Sequence, residues 1–369
     1  MGLKRRELAG LAGLLGLIMG MTGCGGGGSA PGAGDHGTLT SSSGGTTSTP
    51  STLPTANVVA FPAPTHANNP GNITFQPASH LERVAAGVTP ANQFYDSATN
   101  GLNALALQTA YGEIQEFSST DLSNTSNTGG TGVVVAIVDA VGYNSDITTG
   151  YGDSKILADL QTYSTACGLP DPTSQLTIAE EAGTLAGGGW SVETALDVDM
   201  VHAMAPQAQI LLVLAKSPNL ADMLAAVDYA SNASVNGVPV SVVSMSWSTG
   251  ASEGGTFTTG GLTLNITFFD FHMQHDGVSY FGATGDTGGK VGWPATCPSV
   301  VAVGGTVLDM TSGSAVETAW NGGGGGASVY ESAPSYQAFT TKSMREIPDV
   351  AAVSAGVMLV RNGAKGTVA

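Results

Sequence analysis

The stretch VETALDVDMVHAMAPQAQILLVL, residues 192–214, decides the fold. Leu196, Met200, Val201 and Met204 recur at helical spacing, so Val192 to Met204 is predicted to be a helix with one apolar face. Ile210 to Leu214 then predicts a strand. Working outward, the same alternation repeats. Val133 to Val138 is a continuous apolar run, as expected of a strand covered on both faces. Ile156 to Tyr163 is predicted helical, and the helical Leu220 to Ser231 precedes a strand at Val240 to Met245. Thr267 to His275 is predicted helical and precedes strands at Val278 to Gly282 and Val300 to Val303. Upstream, Leu102 to Tyr111 reads as a helix, and ordered structure is expected from about Thr89-Pro90. Strands alternating with helices imply right-handed crossovers and an α/β fold, a mostly parallel sheet with helices on both faces. Such sheets carry their chemistry at the carboxyl ends of the strands.

Glu193 and Asp197 lie four residues apart on the predicted helix and so share a face. Like charges at that spacing destabilise a bare helix, which leaves two readings open: a solvated acidic face, or a pair kept for chemistry. Two strand ends favour chemistry. The strand Val240 to Met245 runs into Ser246-Trp247. The strand Val278 to Gly282 runs into Ala283-Thr284-Gly285-Asp286-Thr287-Gly288, a glycine-flanked aspartate. One acid pair and one lone acid are therefore expected at the same edge of the sheet. Trp190 and Trp247 are candidates either for the walls of that site or for the core.

Composition narrows the function. Of 369 residues, 42% are hydrophobic, enough for a sizeable core, and only 11% are charged. The net charge of −17 argues against a nucleic-acid partner, because neutralising phosphates needs lysine and arginine. Acid removes this self-repulsion, so acid tolerance is expected. Lys4, Arg5 and Arg6 followed by the apolar run Leu8 to Met21 have the layout of an export signal. The ending Met21-Thr22-Gly23-Cys24 resembles a bacterial lipobox, which would lipidate Cys24 and attach the chain to a membrane; an incidental cysteine after an ordinary signal is the other reading. Residues 1–24 are thus read as signal, 25–88 as low-complexity tether and short leader, and 89–369 as one domain. Gly25 to about Asn69 is Gly, Ser, Thr and Pro with almost nothing to bury. His36-Gly37-Thr38 lies in this tether with no core around it. In an oxidising compartment Cys167 and Cys297 could pair or remain two small buried thiols.

The order W-x-x-E-x-x-x-D (190–197), A-P-x-A (205–208), S-x-S-W (244–247), G-D-x-G (285–288) and P-S-V-V-A-V-G-G-T (298–306) resembles the sedolisins, or serine-carboxyl peptidases. Trp320-Asn321 with its glycine run, Pro334-Ser335-Tyr336-Gln337 and Arg345-Glu346-Ile347-Pro348-Asp349-Val350 extend the likeness over roughly Thr89 to Ala369. The resemblance implies a subtilisin-like fold, a serine-type endopeptidase acting on polypeptides as a monomer, Glu193 as general base, Asp197 as its orienting group and Asp286 as oxyanion-hole donor. These roles overlap only in acid. A glutamate with an ordinary pKa of about 4.3 is already ionised there, whereas Asp286 can donate only while protonated. A subtilisin-type triad around Asp139 fails on sequence, because no histidine motif follows within a folded segment.

Two departures stand out. The family usually has a long folded propeptide, and only about seventy mostly low-complexity residues separate Cys24 from the domain. The family's nucleophile sits in a G-T-S motif. Here Val357 to Val360, a turn at Asn362-Gly363 and Gly366 to Ala369 read as the hairpin leading to it, so the motif is expected within a residue or two of Ala369; a degenerate copy at Gly366-Thr367-Val368-Ala369 is the other reading. The family's calcium-binding loop would also lie beyond Ala369, and no cofactor is expected in these residues. Apolar surface from Val350 to Val368 is expected to face water in the absence of a following helix. A catalytically inactive exported lipoprotein that binds peptides is the alternative function.

Overall fold

A computed structural model describes residues 56–64, 73–77, 81–82, 92–112, 129–141, 154–182, 189–250, 252–259 and 261–368. Cys24, the export signal and His36 lie outside these residues. Nine strands form the central sheet: β1 (Asn57–Phe61), β2 (Val134–Ala140), β3 (Leu176–Glu181), β4 (Gln209–Ala215), β5 (Val242–Met245), β6 (Ser279–Ala283), β7 (Val300–Asp309), β8 (Val316–Ala319) and β9 (Val350–Ala355). Their spatial order is β1-β3-β4-β2-β5-β6-β7-β8, with β9 also paired to β7. Every pairing is parallel except β7 with β8. From β2 the chain passes over the place of β4 to β3, returns to β4, and then crosses β2 to run outward on the other side through β5, β6 and β7. The order therefore reverses at β2, the point where open α/β sheets leave a crevice outside the carboxyl ends of the strands.

All seven residues of β2 are buried, which requires cover on both faces. The helices supply it: α1 (Ala104–Ala110), α2 (Ser154–Cys167), α3 (Ser191–Met204) and α4 (Leu220–Asn232). Helices α1 and α2 pack on α3, which lies on β2 and β4, and α4 packs on the same two strands. The α/β expectation holds, with helix and strand positions close to those read from periodicity. Among the local signals, Asn103 caps α1 by accepting from the Ala106 N–H at 3.0 Å.

Four expectations need correction. The tether read through Asn69 does not extend that far, because Asn57–Phe61 is an edge strand of the main sheet, in parallel register with β3; the β-branched pair Val58-Val59 and buried Phe61 outweigh their polar surroundings. The helix read at Thr267 to His275 spans Ile266–Met273, ending two residues earlier, and is of the 3-10 type. Asn265 tightens its start by accepting from the Thr267 N–H at 3.2 Å, and the three-residue period aligns exposed Phe268 and Phe271.

The third correction concerns the cysteines, which are both free. Cys167 sits at the end of α2 beside Tyr163, whereas Cys297 lies 3.1 Å from the Ser299 hydroxyl and near Asp270. The two share none of these neighbours, so no bridge forms. Burial pushes their thiols up to about 11 and about 12 respectively.

The fourth concerns the last strands. Met358–Arg361 (β10) and Ala364–Val368 (β11) form the expected hairpin around Asn362-Gly363, both residues in positive φ at 53° and 73°. Val353, Val357, Met358, Leu359, Val360 and Val368 are all fully buried. The apolar surface expected to face water is instead largely buried, with β10 packed against α2 and α3. Polar clamps fix the hairpin there: both Asp159 oxygens accept from the turn, from the Asn362 and Gly363 N–H groups at 2.7 Å each, and Asp199 accepts from Val360 N–H at 2.9 Å. Gly366–Val368 are strand residues, with Val368 buried.

Candidate active site

Helix α3 is buried almost all round, its acids included. Glu193 and Asp197 are both 0% exposed, so the solvated-face reading is wrong. The gap between α1, α2 and the β10–β11 hairpin is filled by α3 itself, which leaves it no wet side. Asp197 accepts from the Ser246 hydroxyl at 2.9 Å. Ser246 follows β5 directly, and Asp139 stands at the carboxyl end of neighbouring β2, also fully buried. Helix and strands thus bring Asp139, Glu193, Asp197 and Ser246 together where the strand order reverses.

Three carboxyl groups held in so dry a place cannot all ionise cheaply. Burial pushes Asp139 up to about 7, weakly opposed by the Thr194 hydroxyl. Asp197 is held well above the usual carboxylate range, first by burial, then by the charges of Asp139 and Glu193. The Ser246 hydroxyl pulls the other way without offsetting these causes. Sequence reasoning missed two members of this group. Asp139 drew notice only as a rejected triad acid, although an aspartate ending an otherwise apolar, doubly covered strand was the available signal. Ser246 was legible only as the residue following a strand, since its bond to Asp197 depends on α3 lying over β5.

Asp286 follows β6, one strand beyond Ser246, on the same edge of the sheet. One of its carboxylate oxygens is buried. The glycine run 322–326 explains itself here. Gly324 donates to the Gly285 carbonyl at 2.7 Å, and a Cβ on Gly324 would fall 2.1 Å from the Thr284 carbonyl oxygen. Only glycine lets this loop close over the Asp286 turn. A cavity of about 480 Å³ lined by Gly304, Thr306, Glu317, Trp320, Gly324 and Pro348 opens beside that loop rather than over the acid pair. Arg345 locks the neighbouring strands: its guanidinium is fully buried and grips both Asp349 oxygens at 2.7 and 2.5 Å, while Asp349 accepts from the Ala302 N–H of β7 at 2.8 Å.

The tryptophans are core residues more than walls. Trp190 is buried, and Trp247 is fully buried with its indole N–H donating to the Val138 carbonyl at 2.8 Å. Trp293 is also fully buried, held by Asp270 at 2.8 Å. Among the described residues no cluster of metal-ligating side chains occurs, and no helix is long and apolar enough to cross a membrane.

Fold and site together define an α/β protein with a buried carboxyl cluster at the switch point of a parallel sheet. The sequence model of the subtilase family matches residues 130–354, more than half of the chain. The chain belongs to the subtilase family. It is 35% identical over 134 residues to sedolisin of Pseudomonas sp. (strain 101), a stretch covering 32% of this chain and 21% of that protein. It is 39% identical over 98 residues to xanthomonalisin of Xanthomonas sp. (strain T-22), covering 20% of this chain and 12% of that protein. The matched stretches thus span about a fifth or less of the length of these relatives. Among solved structures, Pseudomonas sedolisin, a serine-carboxyl proteinase complexed with two molecules of pseudo-iodotyrostatin, superposes with a TM-score of 0.46 at 22% identity, covering 69% of this chain and 71% of that one.

Proposed function

We propose that the protein is an acid-acting serine-type endopeptidase that hydrolyses peptide bonds in polypeptides. The observation that carries the reading is the fully buried Glu193–Asp197 pair on α3, set at the switch point with Ser246 on Asp197. Glu193 acts as general base toward a serine hydroxyl. Asp197 holds it in place: the Ser246 hydroxyl occupies Oδ1, and the raised affinity of Asp197 for a proton makes it a donor in acid. Asp286, at the next strand end, donates to the oxyanion that develops when the carbonyl is attacked. In the family pattern that serine belongs to a G-T-S segment following a hairpin such as β10–β11, whose first strand packs against α3. Export and lipid attachment through Cys24 would put the enzyme on the outer face of a membrane, where an acidic medium can reach it.

The test is casein hydrolysis by a chain carrying the G-T-S segment, followed from pH 2 to pH 8. Activity confined to acid and abolished by Glu193→Gln is expected. A neutral optimum, or full activity after Glu193→Gln, overturns the mechanism. The same chain's membrane fraction should carry a diacylglycerol adduct that Cys24→Ser removes.

A further inference from the structure

The stretch Gly254 to Phe269 contains no aspartate, glutamate, lysine or arginine, in a protein whose net charge is −17. The two acids that bound it both face inward. Glu253 is buried, accepting from the Ser328 hydroxyl at 2.5 Å and the Val329 N–H at 2.6 Å. Asp270 is buried as well, accepting from the Trp293 indole at 2.8 Å. The stretch folds as a hairpin, Thr256–Thr259 with Leu262–Asn265, that leads straight into the 3-10 helix Ile266–Met273. Its outward side is apolar: Leu262, Phe268 and Phe271 are 64%, 53% and 56% exposed. The three-residue period sets Phe268 and Phe271 on one side of the helix, and their rings meet edge to face with centroids 6.4 Å apart.

These rings are held in place from behind. Phe268 stands edge-on to Phe269 at 5.3 Å, Phe269 stacks on buried Phe257 at 5.6 Å, and Phe271 lies 4.1 Å from the His272 ring. Ile266, Asp270 and Met273 fasten the other side of the helix in the interior. Charge returns only at the rim, where His272 Nδ1 and His275 Nε2 lie 2.8 and 3.8 Å from Asp228 of α4. An exposed apolar patch with a polar rim marks a surface for a protein or a membrane. Two observations select the membrane. First, the chain that comes from Cys24 enters the domain beside this patch: Phe61 of β1 stacks on Tyr229 of α4 at 4.4 Å, and Pro64 lines a groove of about 210 Å³ with Phe269 and His272. Residues 25–55 lie between Cys24 and that entry and span at most about 110 Å at full extension. A lipid on Cys24 thus keeps a bilayer within reach of the patch, at high effective concentration. Second, another copy of this chain would also carry −17 and be repelled, whereas a neutral phospholipid surface is not.

We propose that Leu262, Phe268 and Phe271 form a foot by which the domain rests on the phospholipid bilayer that carries its anchor. The rings sit at the boundary between headgroups and acyl chains, where exposed apolar side chains with a polar surround bind reversibly. The inference rests on lipid attachment at Cys24, as proposed above, and adds which face of the domain meets the membrane.

The experiment places the full chain, exported and processed by a bacterial host, on phosphatidylcholine vesicles whose acyl chains carry bromine, which quenches tryptophan only on contact. Phe268→Trp and, in a separate variant, Phe271→Trp put an indole on the foot at exposed positions, so either can serve should the other fail to fold. Phe339→Trp is the control, at a site 82% exposed on the 3-10 helix Ser335–Thr340. Measured against the wild-type chain, the indoles at 268 and 271 should lose most of their added fluorescence on brominated vesicles, and the one at 339 none. Unquenched indoles at both 268 and 271, or equal quenching at 339, overturn the proposal. So does shielding of the 268 indole from aqueous acrylamide that grows with protein concentration and comes without bromine quenching, since a second copy then covers the patch. Intact mass of the same preparation separates the two readings. An adduct on Cys24 without quenching removes the foot alone; quenching without an adduct removes the lipidation alone; the absence of each removes both.

Discussion

Two of the groups of carboxylic acids inside this molecule are built differently. Asp139, Glu193 and Asp197 project from a central strand and a central helix, and Asp197 receives a single neutral hydroxyl from Ser246. Glu253, Asp270 and Glu331 stand on a loop, the 3-10 helix and the edge strand Gly326–Ser332. There the donors are plentiful. The Ser328 hydroxyl takes one Glu253 oxygen at 2.5 Å, the Val329 N–H the other at 2.6 Å, and the Trp293 indole reaches Asp270 at 2.8 Å. In each group burial raises the proton affinity of some members, Asp139 and Asp197 in the first, Asp270 and Glu331 in the second. Burial and the neighbouring Asp270 push Glu331 up to about 7. The second group is thus a tie between loops, satisfied by its surroundings. The first is fully buried with few donors at the carboxyl ends of central strands, a placement that marks a candidate functional site.

The largest expected effect separates the two groups by catalysis. In a chain carrying the nucleophilic serine, Glu193→Ala, Asp197→Ala and Asp286→Ala should each lower kcat by roughly two to four orders of magnitude, on the scale of lost bases and oxyanion donors. Glu331→Gln should leave kcat unchanged. Steady-state peptide hydrolysis decides; an equal loss from Glu331→Gln would erase the distinction.

The next effect is on stability. The folded Asp139 carboxyl titrates near 7 against an ordinary 3.8, so between those values the folded chain holds a proton that the unfolded chain has released. Its contribution is full below about pH 4 and is lost as pH rises toward 7, at most on the order of 4 kcal/mol for such a shift. Asp139→Asn should therefore raise Tm at pH 7 by on the order of 10 °C and flatten its fall between pH 4 and 7. An unchanged slope by calorimetry would show that Asp139 is not the group responsible.

Removing donors is a finer probe. Ser246→Ala strips Asp197 of its hydroxyl and should cost about 1–3 kcal/mol in urea unfolding, the usual penalty for a stranded buried acceptor. Ser328→Ala should cost less, because Glu253 keeps the Val329 N–H on its other oxygen. The reverse order would invert the comparison. The smallest effect belongs to Glu331→Gln, which should lessen the neutral-pH loss in the same direction as Asp139→Asn. It should do so by only a few degrees, since solvent screens this half-open group.

Several of these residues could be read before folding, and others could not. Glu193 and Asp197 share a helical face by spacing alone, and Asp286 ends a strand between glycines, so both were visible as local patterns. That the acidic face is dry was not visible, because its cover comes from α1, α2 and a hairpin more than 150 residues downstream of Glu193. Ser246 reads as one serine among many until α3 is laid over β5. Val58-Val59 looked too short a β-branched run within a polar tract to be a strand, and only the open edge of β3 makes it one.

What the sequence by itself determined is the alternation of strands and helices, the carboxyl-end placement of Ser246 and Asp286, the i,i+4 acid pair and the Asn362-Gly363 turn. Each is set by side-chain period or by local backbone preference, which act over a few residues. Only the tertiary structure decided that Asp139 joins the acid pair, that Cys167 and Cys297 stay apart, and that the last strands are buried. These depend on which surfaces meet. Burial, and with it the affinity of a carboxyl group for its proton, is a property of the neighbours that folding brings, not of the residue or its place in the chain.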